Sequence, residues 1–192
     1  MRAPVRRLTT PALAVVMAVV LAALLAACTS GGAGPLAWRD LDLELPPGWM
    51  VLDQRDDLLL IANRDLRADD IEAIPSLPQD PDATDAVAVQ FTTDSTGADA
   101  WRSLVESEGG EIERDERIQI DGLPATSLTF NWVTNGVPTR EQVVIVPSRQ
   151  LVLVLQPVPV QGQMTGPDVY LRHVDEFIAI LESLDFGAPA DA

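Results

Sequence analysis

The chain has 192 residues, and its 13 basic residues stand against 29 Asp and Glu for a formal net charge of −16, a balance that repels nucleic acid and anionic headgroups and excludes nucleic acid as a partner. Hydrophobic residues make up 47% of it, too many for a disordered chain. A single Cys and a single His exclude an internal disulfide and a zinc site built from several such ligands.

Residues 1–27 read as an export segment. A basic head with Arg2, Arg6 and Arg7 precedes an apolar stretch from Ala12 to Leu25, which leads into Leu25-Ala26-Ala27-Cys28. This pattern resembles the lipobox of bacterial lipoprotein precursors. The resemblance implies cleavage before Cys28, a thioether from its thiol to diacylglycerol, and palmitate-type acyl chains that anchor the protein to the extracytoplasmic face of a cell membrane. Two or three such chains hold stably where one holds marginally, so no transmembrane helix is needed. The alternative is an uncleaved membrane anchor with Cys28 as a bystander; the Cys stands where apolar character stops, which favours lipidation. Loss of the export segment leaves 165 residues, the size of one domain, with 10 Arg against the 29 acids, a formal charge of −19.

Residues 28–35 read as the lipidated Cys followed by a Gly-rich flexible tether. Gly31-Gly32-Ala33-Gly34 is no phosphate loop, since no strand precedes it and no Lys-Ser/Thr follows. From Leu36 the period is two: Leu41, Leu43 and Leu45 alternate with acids, which predicts a strand with one wet face. Pro46-Pro47-Gly48 turns the chain into Trp49, and Leu58 to Ile61 is a short run covered on both faces. Residues 63–85 form a long acidic connection. Ala86 to Thr92 is another strand, and Asp94 or Ser95 is placed to cap a helix that runs to about Ser107 and stops at Gly109-Gly110. Ile112 to Ile120 and Leu123 to Val133 flank Asp121-Gly122, a favoured hairpin dipeptide. Further turns at Asn135-Gly136 and Ser148-Arg149 make four antiparallel neighbours ending at Val158. A helix over 167–183 presents Tyr170, Val174, Phe177, Ile178, Leu181 and Leu184 as an apolar stripe, and residues 187–192 should fray.

These elements predict an α+β class: one antiparallel sheet flanked by helices, spanning residues 36–186. The landmarks Leu45-Pro46-Pro47-Gly48-Trp49, Asp121-Gly122-Leu123-Pro124-Ala125 and the closing run from Phe177 to Phe186, with a single helix ahead of a long meander, resemble the PsbP-like family, including LpqN-type lipoproteins. The resemblance implies an α/β/α sandwich and a mostly non-catalytic role in docking on membrane complexes or protein partners. It carries over no binding residue.

The residues themselves offer no catalytic constellation. His173 has no Gly-x-Ser-x-Gly elbow to serve and reads as a surface histidine, so no catalytic residue is assigned. Asp80, Asp82 and Asp85 could offer oxygens to Ca²⁺ but lack the glycine and terminal glutamate of an EF-hand, so no metal site and no cofactor is assigned. Trp132 and Phe130 lie near the Asn135-Gly136 turn, where an exposed aromatic could contact a partner, although core packing is the leading reading of both. The expectation is therefore a lipid-anchored, non-enzymatic binding or accessory module for an envelope protein. The alternative is a carrier or sensor of a small apolar or lipid-like ligand. An exposed apolar patch rimmed by charge would mark the first, a deep apolar pocket the second.

Overall fold

The computed structural model describes residues 34–66, 85–134, 137–158 and 167–187. The export segment, Cys28, Asp80, Asp82, the Asn135-Gly136 turn and residues 188–192 lie outside the described residues.

Among the described residues pairing builds two sheets rather than the single one expected. A seven-stranded antiparallel sheet runs in the order β3 (Met50–Gln54), β4 (Leu58–Ala62), β5 (Val87–Thr93), β9 (Leu151–Pro157), β8 (Val137–Val146), β7 (Leu123–Thr134), β6 (Glu111–Ile120). A smaller one joins β1 (Gly34–Trp38), β2 (Leu41–Leu45) and β10 (Asp185–Phe186). The division falls at Pro46-Pro47-Gly48. There Trp49 N–H donates to the Pro46 carbonyl at 3.0 Å and Gly48 takes φ +87°, a type II turn that sends β3 out of the plane of β2. β1 also starts earlier than expected: Gly34 and Pro35, assigned to the tether, pair with Leu45 and Glu44.

Among the described residues three helices complete the α+β fold: α1 (Ala98–Ser107), α2 (Pro167–Arg172) and α3 (Val174–Glu182). Strand alternation shows which face each covers. Val144, Val146, Leu151, Leu153 and Leu155 join Phe177, Ile180 and Leu181 in the largest core cluster, whereas Val143, Ile145, Val152 and Val154 join Val105 of α1. Successive side chains point to opposite faces, so α2 and α3 lie on one side of the large sheet and α1 on the other. Phe177 anchors the first layer, edge-on to Trp49 at 6.2 Å and tilted against Tyr170 at 5.4 Å.

The small sheet is tied down by polar links. Trp38 Nε1 donates to the Arg55 carbonyl at 2.6 Å, and Gln54 Nε2 to that of Ala37 at 3.1 Å. Arg149 bonds Asp40 at 2.8 Å and the Phe186 and Gly187 carbonyls at 3.2 and 3.0 Å, with its guanidinium over the Phe186 ring. Strand β10 is thereby held to the short helical turn after β8.

Two helix expectations differ in detail. Helix α1 has Gly97 as its N-cap, with no side-chain capping bond. Asp94 instead accepts from Thr96 N–H at 2.8 Å, forming a local turn ahead of the helix. The single helix expected over 167–183 is broken at His173, whose φ of −109° and ψ of 7° leave the helical region.

Candidate functional site

Three constellations follow from this framework, and the first is a groove at the open corner between β6 and α3. The buried stripe of α3 is Phe177, Ile180 and Leu181, continued by Leu184. Ile178 lies about 100° around the helix from Phe177 and falls on the shoulder of that stripe, 45% exposed. Opposite it, Asp121 and Gly122 take φ +47° and +72°, the two left-handed residues of the type I′ turn that joins β6 to β7. The groove between them holds 280 Å³ and is lined by Gln119, Ile120, Asp121, Ile178, Leu181, Glu182 and Leu184. Both walls are pinned. Asp121 Oδ2 accepts from Phe186 N–H at 3.0 Å, and Ser183 Oγ, next to Glu182, accepts from Glu44 N–H at 3.1 Å.

A second cluster surrounds His173, which is part-buried rather than on the open surface. Asp85 accepts from Arg172 Nε and Nη2 at 2.6 and 2.9 Å, and its Oδ2 lies 3.5 Å from His173 Nε2. His173 Nδ1 lies 3.1 Å from Glu176 Oε2, which also accepts from Trp49 Nε1 at 3.0 Å. The Arg172 hydrogen bonds outweigh burial and hold the Asp85 carboxyl below the usual range, while Asp85 raises Arg172 in return. With a carboxylate on each ring nitrogen, the imidazole presents neither to a hydroxyl nucleophile. The cluster ties β5's approach, α2, α3 and the PPG corner together.

The third is Glu141, on the α1 side of β8. It accepts from Trp132 Nε1 at 2.7 Å and from Thr139 Oγ1 at 3.4 Å, and is 4% exposed. Burial pushes its carboxyl up to about 7, against the lowering effect of these two donors. An acid poised there is also a signature of catalytic sites, and here it is closed off from solvent.

Cys28 lies outside the described residues. Phe130 is fully buried beneath α1, and Trp132 packs edge-on against it at 5.1 Å. Phe130 thus packs in the core, and Trp132, half-buried with its indole N–H committed to Glu141, has its polar edge turned inward. Of the three loop acids considered for Ca²⁺, only Asp85 is described, and its oxygens serve Arg172 and His173. Among the described residues no group of three or more His, Cys, Asp or Glu is arranged to hold a metal.

The sequence reading missed Ile178 as a surface feature because it completes a helical apolar stripe, and a stripe wider than the contact it makes leaves its flank in water. Glu141 shares strand parity with Val143 and Ile145, a signal that can be read only once the register of β8 is known.

No family model matches the chain, and no curated protein does. Similar solved structures include a protein of unknown function from Pseudomonas aeruginosa, with 19% identity over 84% of this chain and 100% of that one and a TM-score of 0.46. The cyanobacterial PsbP protein CyanoP from Synechocystis sp. PCC 6803 is similar at 12% identity over 84% of this chain and 98% of that one, TM-score 0.42. LpqN of Mycobacterium tuberculosis, described as involved in cell envelope biogenesis, is similar at 16% identity over 81% and 85%, TM-score 0.41. The α+β class itself rests on the strands and helices above.

Proposed function

We propose that this chain is a non-catalytic binding module of the PsbP-like type, tethered through Cys28 to the extracytoplasmic face of a cell membrane, which docks a basic protein segment with an apolar anchor at the β6–α3 groove. The observation that carries this reading is Ile178, a large aliphatic side chain held in solvent on a rigid wall, with Ile120, Leu181 and Leu184 beside it and the carboxylates of Asp121 and Glu182 in the same lining. Ile178 is the exposed aliphatic of this lining, with its apolar neighbours buried beneath it, and an exposed apolar anchor flanked by charge suits a small docking surface. Its acidic lining, within a chain of net charge −16, selects a basic partner.

The carrier alternative draws less support from this groove. At 280 Å³ it falls below the usual range for small-molecule pockets and opens to solvent along one side, so it cannot enclose an acyl chain.

The test is photocrosslinking in intact cells from a reactive residue placed at position 178, with position 106 on the far helix α1 as the control. One envelope protein recovered from 178 and absent from 106 is the expected result. The same neighbours from both positions, or a lipid extracted with the protein and lost in Ile178→Glu, would overturn it.

A further inference from the structure

Strand β6 ends the order of the seven-stranded sheet, and among the described residues no strand pairs with its outer edge. Its bulge lies at the far end, between Ile112 and Arg114, so the seven residues from Arg114 to Ile120 stay in regular register with β7 and present an edge about 20 Å long. That edge runs directly into the groove, since Gln119 and Ile120 are both its last residues and part of the groove lining.

The two faces of this edge differ in chemistry. Asp115 points towards α1, where Arg102 Nε and Nη2 hold its carboxylate at 2.7 and 2.9 Å. By alternation, Arg114, Glu116, Ile118 and Ile120 point to the α3 face; Ile120 belongs to the core cluster on that side and Ile118 packs against it. The α3 face therefore offers, from the middle of β6 downward, an exposed carboxylate at Glu116, a partly buried aliphatic at Ile118 and then the groove with Ile178. Neither Glu116 nor Glu182 has an ion-pair partner among the described residues.

We infer that the edge of β6 from Arg114 to Ile120 receives an extended basic segment of a protein partner as an eighth strand, with an aliphatic side chain seated against Ile118 and Ile178 and basic side chains set against Glu116 and Glu182. This rests on the groove reading and gives its binding mode. Main-chain bonds to the open edge supply affinity, and side chains of one parity supply specificity. Charge decides between occupants: a second copy brings its own net charge of −16, whereas a basic strand is drawn in. Natural sheets guard open edges with charged side chains, Pro or bulges. Here the charged residues Arg114, Asp115, Glu116 and Arg117 and the bulge all lie towards the far end, which leaves the groove end, Ile118 to Ile120, free of charge.

The probe is a short peptide alternating arginine and valine, compared with the same sequence N-methylated at alternate residues, which keeps charge and side chains but cannot pair along an edge. Amide hydrogen exchange is followed on the full lipidated protein in detergent micelles. The expected result is slowing by about tenfold at alternate amides between Arg114 and Ile120 with the unmodified peptide only. Equal effects of both peptides, protection confined to other strands, or no binding of either would overturn strand addition. Ile178→Glu separates the two readings. If it weakens binding while β6 amides stay unchanged, the groove stands and strand addition falls; if β6 is protected equally in parent and variant, strand addition stands and the groove reading falls.

Discussion

Glu141 is a carboxyl group placed on a strand face otherwise given to Val143 and Ile145, and the fold keeps it there by lending it Trp132 N–H and the Thr139 hydroxyl. Its ordinary value of 4.5 rises to about 7 on burial, so folding favours the protonated form. The associated stability is present in full below pH 4.5 and is lost as pH rises through about 7, a change of about 3 kcal/mol. Glu141→Gln keeps an acceptor for the indole and cannot ionise. Urea unfolding at the two ends of this window should show the variant gaining stability relative to the parent as pH rises; a constant difference would mean that Glu141 titrates normally. Sequence alone could not pick this acid from 29, because the signal is strand parity, and parity becomes informative only once the register of β8 against β7 is known. Phe130 and Trp132 were ambiguous for the same reason. Their spacing puts both on one face with Leu128, but only the fold shows that α1 covers that face.

Among the elements, turns were the most legible because their chemistry is local. Pro47 fixes its own φ and Gly48 supplies a positive one, whatever the sheet beyond them does. Helix α1 ends as its Gly109-Gly110 pair foretold: Gly110 N–H donates to the Val105 carbonyl at 2.8 Å and Gly109 N–H to that of Glu106 at 3.1 Å, a Schellman motif with Gly109 at φ +75°. Gly110 carries a further constraint. A Cβ there would meet Val105 Cγ1 at 2.8 Å and the carbonyl oxygens of Val105 and Asn131 at 3.0 Å, two of them backbone atoms that join α1 to β7. Gly110→Ala should destabilise the domain by about 1–3 kcal/mol, read as a lower urea midpoint with unchanged slope. An unchanged midpoint would show that α1 lifts from the sheet without penalty. The break at His173 and the two-residue strand β10 were not legible. The apolar stripe keeps its spacing across the break, and β10 exists only through its pairing with β2.

At the scale of the whole molecule, the α+β class was readable because periods of two and 3.6 separate cleanly along the chain, while the division into two sheets was not, since no local signal says which strands a corner will part. The tether is where the whole-molecule argument bears on function. No helix among the described residues is long and apolar enough to cross a membrane; on the proposed reading the attachment is the acyl chains on Cys28. Each buried methylene of an acyl chain contributes about 0.8 kcal/mol, and two or more chains make attachment persistent. Confinement to a surface raises the effective concentration of a partner in the same membrane, which lets a groove of only 280 Å³ serve a complex it could not hold in free solution. Cys28→Ser should accordingly move the protein from the membrane fraction to the soluble fraction and abolish the crosslink from position 178 in intact cells, while the isolated domain keeps its unfolding midpoint. Tight membrane retention of the variant would sink the anchor, and an undiminished crosslink from a released protein would show that the groove binds without help from the membrane.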